Sequence, residues 1–282
     1  MPFDTRALVR EATHLEPLPR AALQLVTIFG RDDWEAEEVI EVVRLDPVLT
    51  GRVLGAANSA SSGARTKILH VAEAVRRIGP RAVVGLAIAA GAKGCLSEAL
   101  PQLGLGEGEL WRHSVAALLA AEVASAHFGL RDSSAAVTAA LLHDVGKVLI
   151  ARFLDPETLD YLRLACLEGG RSTLAGELEV LSISHGELGA LVAAHWGLPQ
   201  EIVGAIQHHH DLASAPEAHR HDAALVRVAD SVAHAVAPQR VPSVEDPAEH
   251  ALALQTLGLV PERLPAFTEV VRARFARIGD AY

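Results

Sequence analysis

Ala139-Ala140-Leu141-Leu142-His143-Asp144-Val145-Gly146-Lys147-Val148-Leu149-Ile150 is the stretch on which the reading of this chain turns. An imidazole and a carboxylate stand side by side in apolar surroundings. Ionisable groups placed so cost several kcal/mol unless they are paired or bind a cation. The Ala- and Leu-rich flanks favour helix. The pair is therefore expected inside one apolar helix, capped by Ser133 or Ser134 and running to about Leu154. Neighbouring helical positions diverge by about 100°. His143 and Asp144 must then straddle any ion they share, and other helices must supply its remaining ligands.

Working outward, the 3.6-residue period recurs from end to end, and convincing period-two alternation does not. Leu18–Phe29, Trp34–Leu45, a helix opened by Pro47, Val71–Ile78 and a helix opened by Pro80 fill the first third. Asn58 to Gly63 reads as a loop or helix end, with Asn58 as a cap or turn residue. The Gly- and Pro-bearing segment Leu96 to Gly108 predicts a boundary, giving an N-terminal helical subdomain at 1–100 and a site-bearing one at 101–282. Beyond it, helices are predicted over Glu109–Phe128, Glu157–Glu168, Leu174–Ile183, Gly186–Trp196, Pro199–His209, Ala223–Val236 and Pro261–Ile278. Leu212–His221 and Pro238–Pro247 read as loops. The expected fold class is all-α.

Composition sets the outer limits. The 282 residues are 50% hydrophobic but only 4% aromatic, and 25 Lys+Arg face 35 Asp+Glu for a formal net charge of −10. Such a balance disfavours general nucleic-acid binding, which needs a basic face. Cys95 and Cys166 are too few for a disulfide framework, and Cys166 has no activating neighbour in sequence. The longest apolar run, near Ala82–Ala92, is too short for a bilayer, and Met1 to Leu15 lacks the apolar core of a secretory signal. A cytoplasmic protein without membrane contact is expected.

Fourteen histidines are many for this length, and their order matters more than their number. His113 lies on the helix before His143-Asp144, with Glu109 one turn earlier on the same face. His185 opens a later helix, His208 and His209 close another, and Asp230 sits among Val226, Val228 and Val232. Imidazole and carboxylate ligands suit divalent Fe, Mn, Zn or Co. His113, His143, Asp144 and Asp230 are expected to hold one ion. Asp144 would bridge to a second, held by His185 and by His208, His209 or both. Lys147, one turn after His143, is a candidate for a catalytic or phosphate-facing role, and Glu109 for an extra ligand. Asp230 has an alternative partner in Arg227, three residues earlier. His127, His195, His219, His221, His234 and His250 are assigned to surface or packing, and at least one of His208, His209 and His210 to solvent. No Gly-rich phosphate loop is present.

These residues resemble the HD metal-dependent phosphohydrolase superfamily, whose signature Leu141-Leu142-His143-Asp144-Val145-Gly146-Lys147 approaches. The resemblance to one branch, the HDOD domains of bacterial signalling proteins, is closer and covers roughly Leu18 to Asp230. It rests on Leu18-Pro19, Leu45-Asp46-Pro47, Ala57-Asn58-Ser59, Ala72–Gly79 and Gly186–Pro199 with its Trp196-Gly197-Leu198-Pro199. It implies a multi-helix HD-like bundle with an N-terminal HDOD-specific part, acting as a regulatory or interaction module for a signalling partner. Many HDOD domains have lost metal ligands, whereas this chain keeps the set. The alternative implied is a phosphohydrolase acting on a small phosphorylated, nucleotide-like ligand. In ligand order, and in Glu109 before His113, the chain is similar to HD-GYP cyclic-dinucleotide phosphodiesterases. It has Asp211-Leu212-Ala213-Ser214 where those carry Gly-Tyr-Pro, which stands against cyclic di-GMP hydrolysis.

Overall fold

Ala- and Leu-rich segments punctuated by Gly and Pro produce helices throughout, and no strand forms among the described residues beyond an isolated bridge between Leu100 and Leu105. The structure is a computed structural model that describes residues 5–31, 33–58, 67–131, 133–167, 173–239 and 246–278. The all-α class is observed.

The first helices are α1 (Thr5–Glu11), α2 (Arg20–Phe29), α3 (Ala36–Leu45), α4 (Pro47–Asn58), α5 (Val71–Ile78) and α6 (Pro80–Leu96). Their starts follow local chemistry. Glu35 and Glu38 form a reciprocal capping box at α3. Asp46 Oδ1 accepts the backbone N–H groups of Val48 and Leu49 at 2.9 Å, which explains the break at Asp46-Pro47. Asn58 does more than cap. Its Nδ2 donates to the carbonyls of Leu54 and Ile68, and its Oδ1 accepts the Ile68 N–H, all at 2.8 Å. One amide thus pins the segment entering α5 to the end of α4. The rest of the predicted Asn58–Gly63 loop lies outside the described residues. In α6 both faces are buried, including Val83, Leu86, Ile88, Ala89 and Ala92. Gly91 lets it meet α2, because a Cβ there would lie 2.2 Å from Pro19 Cδ.

After a 3-10 turn at Pro101–Leu103 come α7 (Glu109–Phe128), α8 (Ser134–Leu142), α9 (Val145–Phe153), α10 (Pro156–Leu167), α11 (Thr173–Leu181), α12 (His185–His195), α13 (Gln200–His208), α14 (Glu217–Val236), α15 (Pro247–Leu257) and α16 (Leu264–Ile278). Helices α7 and α14 pack against each other, with α8, α13 and α16 also in contact with α14. Buried apolar side chains from Leu8 to Val271 form one continuous cluster, so both halves of the chain share a core.

Two expectations need correction. The helix predicted through His143-Asp144 is two helices, since α8 ends at Leu142 and α9 begins at Val145. The helix predicted from Ala223 begins at Glu217, because Pro216 presets its entry, and α15 was hidden by the low contrast of Pro247–Leu257. The stretch Ser134–Phe153 is apolar and long enough to cross a membrane, yet 78% of it is buried, as the core of this fold requires.

Candidate metal centre

Five parts of the fold deliver the site. His113 is in the second turn of α7, fully buried. Asp230, 2% exposed, faces it from α14, and its Oδ1 lies 3.0 Å from His113 Nε2. Between α8 and α9, His143 (φ −54°, ψ −32°) and Asp144 (φ −97°, ψ 3°) form the turn that interrupts the helix. This break resolves the 100° divergence expected of neighbouring helical positions, because both side chains now turn to the same centre. His143 Nε2 lies 3.3 Å from His113 Nε2, 3.4 Å from Asp230 Oδ1 and 3.5 Å from Asp144 Oδ2.

On the other side stands His185, at the first position of α12, where Ser184 and Glu187 form a capping box. Glu177, a buried residue of α11, accepts both the backbone N–H and the Nδ1–H of His185 at 2.7 Å. Close helix crossing sets the depth of His185. A Cβ at Gly146 of α9 would lie 2.0 Å from the His185 carbonyl oxygen and 2.8 Å from Gly189 N, so only glycine fits the α9–α12 contact. His209, the residue after α13, completes this side.

Hydrogen bonding fixes which ring nitrogen faces inward. His143 Nδ1–H donates to the Ala140 carbonyl at 2.8 Å, His209 Nδ1–H to the Ile206 carbonyl at 2.6 Å and His185 Nδ1–H to Glu177. Carbonyls and carboxylates only accept, so in each neutral ring Nε2 carries a bare lone pair. The Nε2 atoms of His185 and His209 and Oδ1 of Asp144 are buried with no hydrogen-bond partner. Buried acceptors without partners are costly. Three of them converging, each steadied from behind, is the arrangement that orients metal ligands.

Asp144 lies between two groups. Its Oδ2 is 3.7 Å from His113 Nε2 and takes a 2.8 Å hydrogen bond from Lys147, while Oδ1 is 3.4 Å from His185 Nε2. Ligand atoms of His113, His143 and Asp144 fall within 4.8 Å of one another, as do those of His185, His209 and His210, and those of His113, Asp230 and His234. A divalent cation fits such a donor set of neutral imidazoles and carboxylates.

Electrostatics agree with that fit. Burial alone would raise the carboxyls of Asp144 and Asp230, but the surrounding histidines, with Lys147 beside Asp144, hold both well below the usual carboxylate range. Burial pushes His209 and His210 well below the usual imidazole range, and His234 down to about 4. Burial also opposes charge on His143, but Asp144 and Asp230 outweigh it and raise that ring. Lys147 is raised too, since Asp144 overcomes its desolvation.

The structure therefore brings together His113, His143, Asp144, His185, His209 and Asp230, with Lys147 on Asp144. It does not bring in His208, which is half-buried beside Ser214 with Nδ1 3.4 Å from its Oγ. Helix α13 stops at His208, and the following turn instead brings His210 beside His209, with ring centroids 4.0 Å apart. Glu109, half-buried in the first turn of α7, is in none of the converging sets among the described residues. The sequence reading missed Glu177, for which eight residues of separation gave no sign, and it set aside His234. His234 lies four residues after Asp230, with Nε2 3.3 Å from Asp230 Oδ1, so helical spacing did carry that signal. Arg227 indeed pairs with Asp230, at 3.0 Å through Oδ2, and this leaves Oδ1 to the histidines.

A buried histidine–aspartate centre inside a helical bundle defines an HD-like protein. The HDOD domain model matches residues 15–212, and the chain belongs to that family. An HDOD domain protein of unknown function from Geobacter sulfurreducens superposes with a TM-score of 0.76 at 22% identity, covering 98% of this chain and 97% of that one. A Shewanella amazonensis protein, named for a proposed phosphohydrolase activity, gives 0.68 at 24% identity over 98% of this chain and 96% of its own. At these identities the fold is what is shared. In sequence, the chain is 26% identical over 205 residues to an uncharacterized Treponema pallidum protein and 32% identical over 148 residues to Ribonuclease Y of Thermus thermophilus. The matches cover 72% and 52% of this chain but only 39% and 20% of those longer proteins.

Proposed function

We propose that this chain is a regulatory HDOD protein whose centre holds divalent metal, two ions sharing Asp144, and which acts through the conformation that the metal stabilises. His113, His143, Asp144 and Asp230 would hold one ion, and His185, His209 and Asp144 the other. His210 and His234 stand at the margin of each set. Burial carries the regulatory reading. The six ligand candidates are each between 0% and 2% exposed, so metal held by them would tie α7, the α8–α9 turn, α12, the end of α13 and α14 into one enclosed centre whose occupancy sets the conformation. A signalling protein is the partner this reading expects, in the cytoplasm. A Marinobacter aquaeolei protein named for a proposed role in signal transduction shares the fold, with a TM-score of 0.76 at 22% identity, and covers 98% of this chain and 65% of its own.

A phosphohydrolase is the second reading, favoured by one observation. The Lys147 ammonium sits 2.8 Å from Asp144 with its side chain 12% exposed, where it can meet a phosphate oxygen from outside. Metal bound there would supply a Lewis acid and an activated water. Lys147 would then orient the phosphate, and Arg227 would hold Asp230 in place. The similarity to Ribonuclease Y adds short RNA to the substrates worth testing, although the net charge of −10 disfavours a long RNA track. Chelation followed by thermal unfolding, beside a metal-loaded assay on mononucleotides, cyclic dinucleotides and a short RNA, separates the readings. The regulatory account expects a large fall in Tm on chelation and no turnover. Turnover abolished by Asp144→Asn would overturn it in favour of the enzyme.

A further inference from the structure

A concavity lies where the N-terminal helices meet the C-terminal ones. It has a volume of about 240 Å³ and is lined by Arg81 and Ala82 of α6, Glu122 of α7, Ser134 and Thr138 of α8 and Arg274 of α16. None of these residues belongs to the histidine–aspartate centre. Two guanidinium groups and one carboxylate leave the lining net positive, on a chain whose overall charge is −10. Arg274 Nη2–H donates to Glu122 Oε2 at 2.9 Å, while its Nε–H is buried with no partner. That Nε is closed off from the cavity, but the Arg274 side chain as a whole is 37% exposed, so its guanidinium edge is within reach of an anion that enters the cavity it lines.

Two further features point the same way. Gly79, at φ +91°, precedes the 17-residue helix α6 and gives it no side-chain cap, so the positive end of that helix opens on the cavity. Beside the polar groups, Ile78, Val84 and Val137 give the lining an apolar part. The space exceeds what a bare phosphate fills and falls short of the roughly 300–1,000 Å³ typical of drug-sized ligands.

We propose that this cavity binds a small organic phosphate, its phosphate on Arg274, Arg81 and the start of α6 and its carbon skeleton on the valines. The occupant would clamp α6 to α8 and α16. Its position gives it a route to the metal centre, since α8 lines the cavity with Ser134 at its start and Thr138 at its middle and leads into His143-Asp144 at its end.

The probes are glycerol 3-phosphate and inorganic phosphate. They are titrated by calorimetry and thermal shift against the full chain after chelation, so that metal does not compete for phosphate. The wild type should show saturable binding and a rising Tm, with glycerol 3-phosphate the tighter probe. Arg274→Gln and Ala82→Leu should each weaken it about tenfold or more, the first by losing a charged donor and the second by filling the space. No saturable shift up to about 50 mM probe would overturn the proposal, because a paired arginine in a partly closed site binds more tightly than that. Wild-type affinity in both variants would overturn it as well, and tighter binding of inorganic phosphate would overturn the organic assignment. Should Arg274→Gln unfold, Ala82→Leu decides, since it leaves every charged group in place.

Discussion

Replacing Gly146 by alanine is the sharpest perturbation the structure offers, because one methyl group tests how the site is built. The added Cβ would lie 2.0 Å from the His185 carbonyl oxygen and 2.8 Å from Gly189 N, and real Cβ contacts do not fall below 3.0 Å. Both obstacles are backbone, so no side chain can swing away. Helices α9 and α12 must part by about 1 Å, against a tolerance of about 0.2 Å in metal–ligand distances. Asp144 precedes α9 and His185 opens α12, so the shift separates two proposed ligands directly. Overpacking of this kind costs about 1–3 kcal/mol, which at about 2–4 °C per kcal/mol lowers Tm by roughly 2–12 °C. Metal affinity should fall about tenfold or more, as when an orienting partner is lost. Gly94→Ala is the control: nothing lies within 4 Å of its Cβ position in α6, and it should be neutral or gain up to about 1 kcal/mol. The assays are thermal unfolding with and without metal, and calorimetric titration of Mn or Zn. A Gly146→Ala protein that matches the wild type in both Tm and metal affinity would refute the crossing as the device that positions His185.

Other substitutions and conditions give separate outcomes. Glu177→Gln keeps the shape of the His185 support but removes its charge, and should weaken metal binding about 10–100-fold while leaving the metal-free Tm nearly unchanged. His209→Ala should lose metal that His208→Ala retains, as measured by elemental analysis, because only His209 faces the centre. Without metal, the fold should lose stability as pH falls from about 6.5 towards 4. His209, His210 and His234 stay neutral in the fold and take up protons once unfolded, so the unfolded state binds more protons there. Each contributes a slope of up to about 1.4 kcal/mol per pH unit in that window. Raised His143 works the other way only above about pH 6.5, where its contribution fades as pH rises through its folded value. Thermal scans from pH 7 to 4.5 that show a flat Tm would contradict this. Asn58→Ala removes three hydrogen bonds at once and should cost about 2–4 kcal/mol, read by denaturant unfolding.

Helices were legible where period and punctuation agreed. Val71–Ile78 and Glu109–Phe128 are bounded by Gly79, Gly108 and Gly129, and the structure ends them at the predicted residues. The break at His143-Asp144 was not legible, since uniformly apolar flanks give a continuous helical pattern and only tertiary packing decides where it turns. The same limit applies to the histidine run. Sequence shows three adjacent imidazoles, but where α13 stops selects His209 and His210 over His208. Glu177 looked no different from Glu179, because its role depends on α11 lying beside the start of α12. Arg274 shows the same thing at longer range, as it meets Glu122 across 152 residues of chain.

Metal stoichiometry tests the central claim most directly. Protein purified without a metal-affinity tag would be measured by elemental analysis beside a His143→Ala/Asp144→Ala variant. The account predicts about two divalent ions per chain, lost in the variant, with imidazole nitrogen and carboxylate oxygen as the ligands. Near-zero metal in both proteins, with no uptake of added Mn or Fe by the wild type, would contradict it.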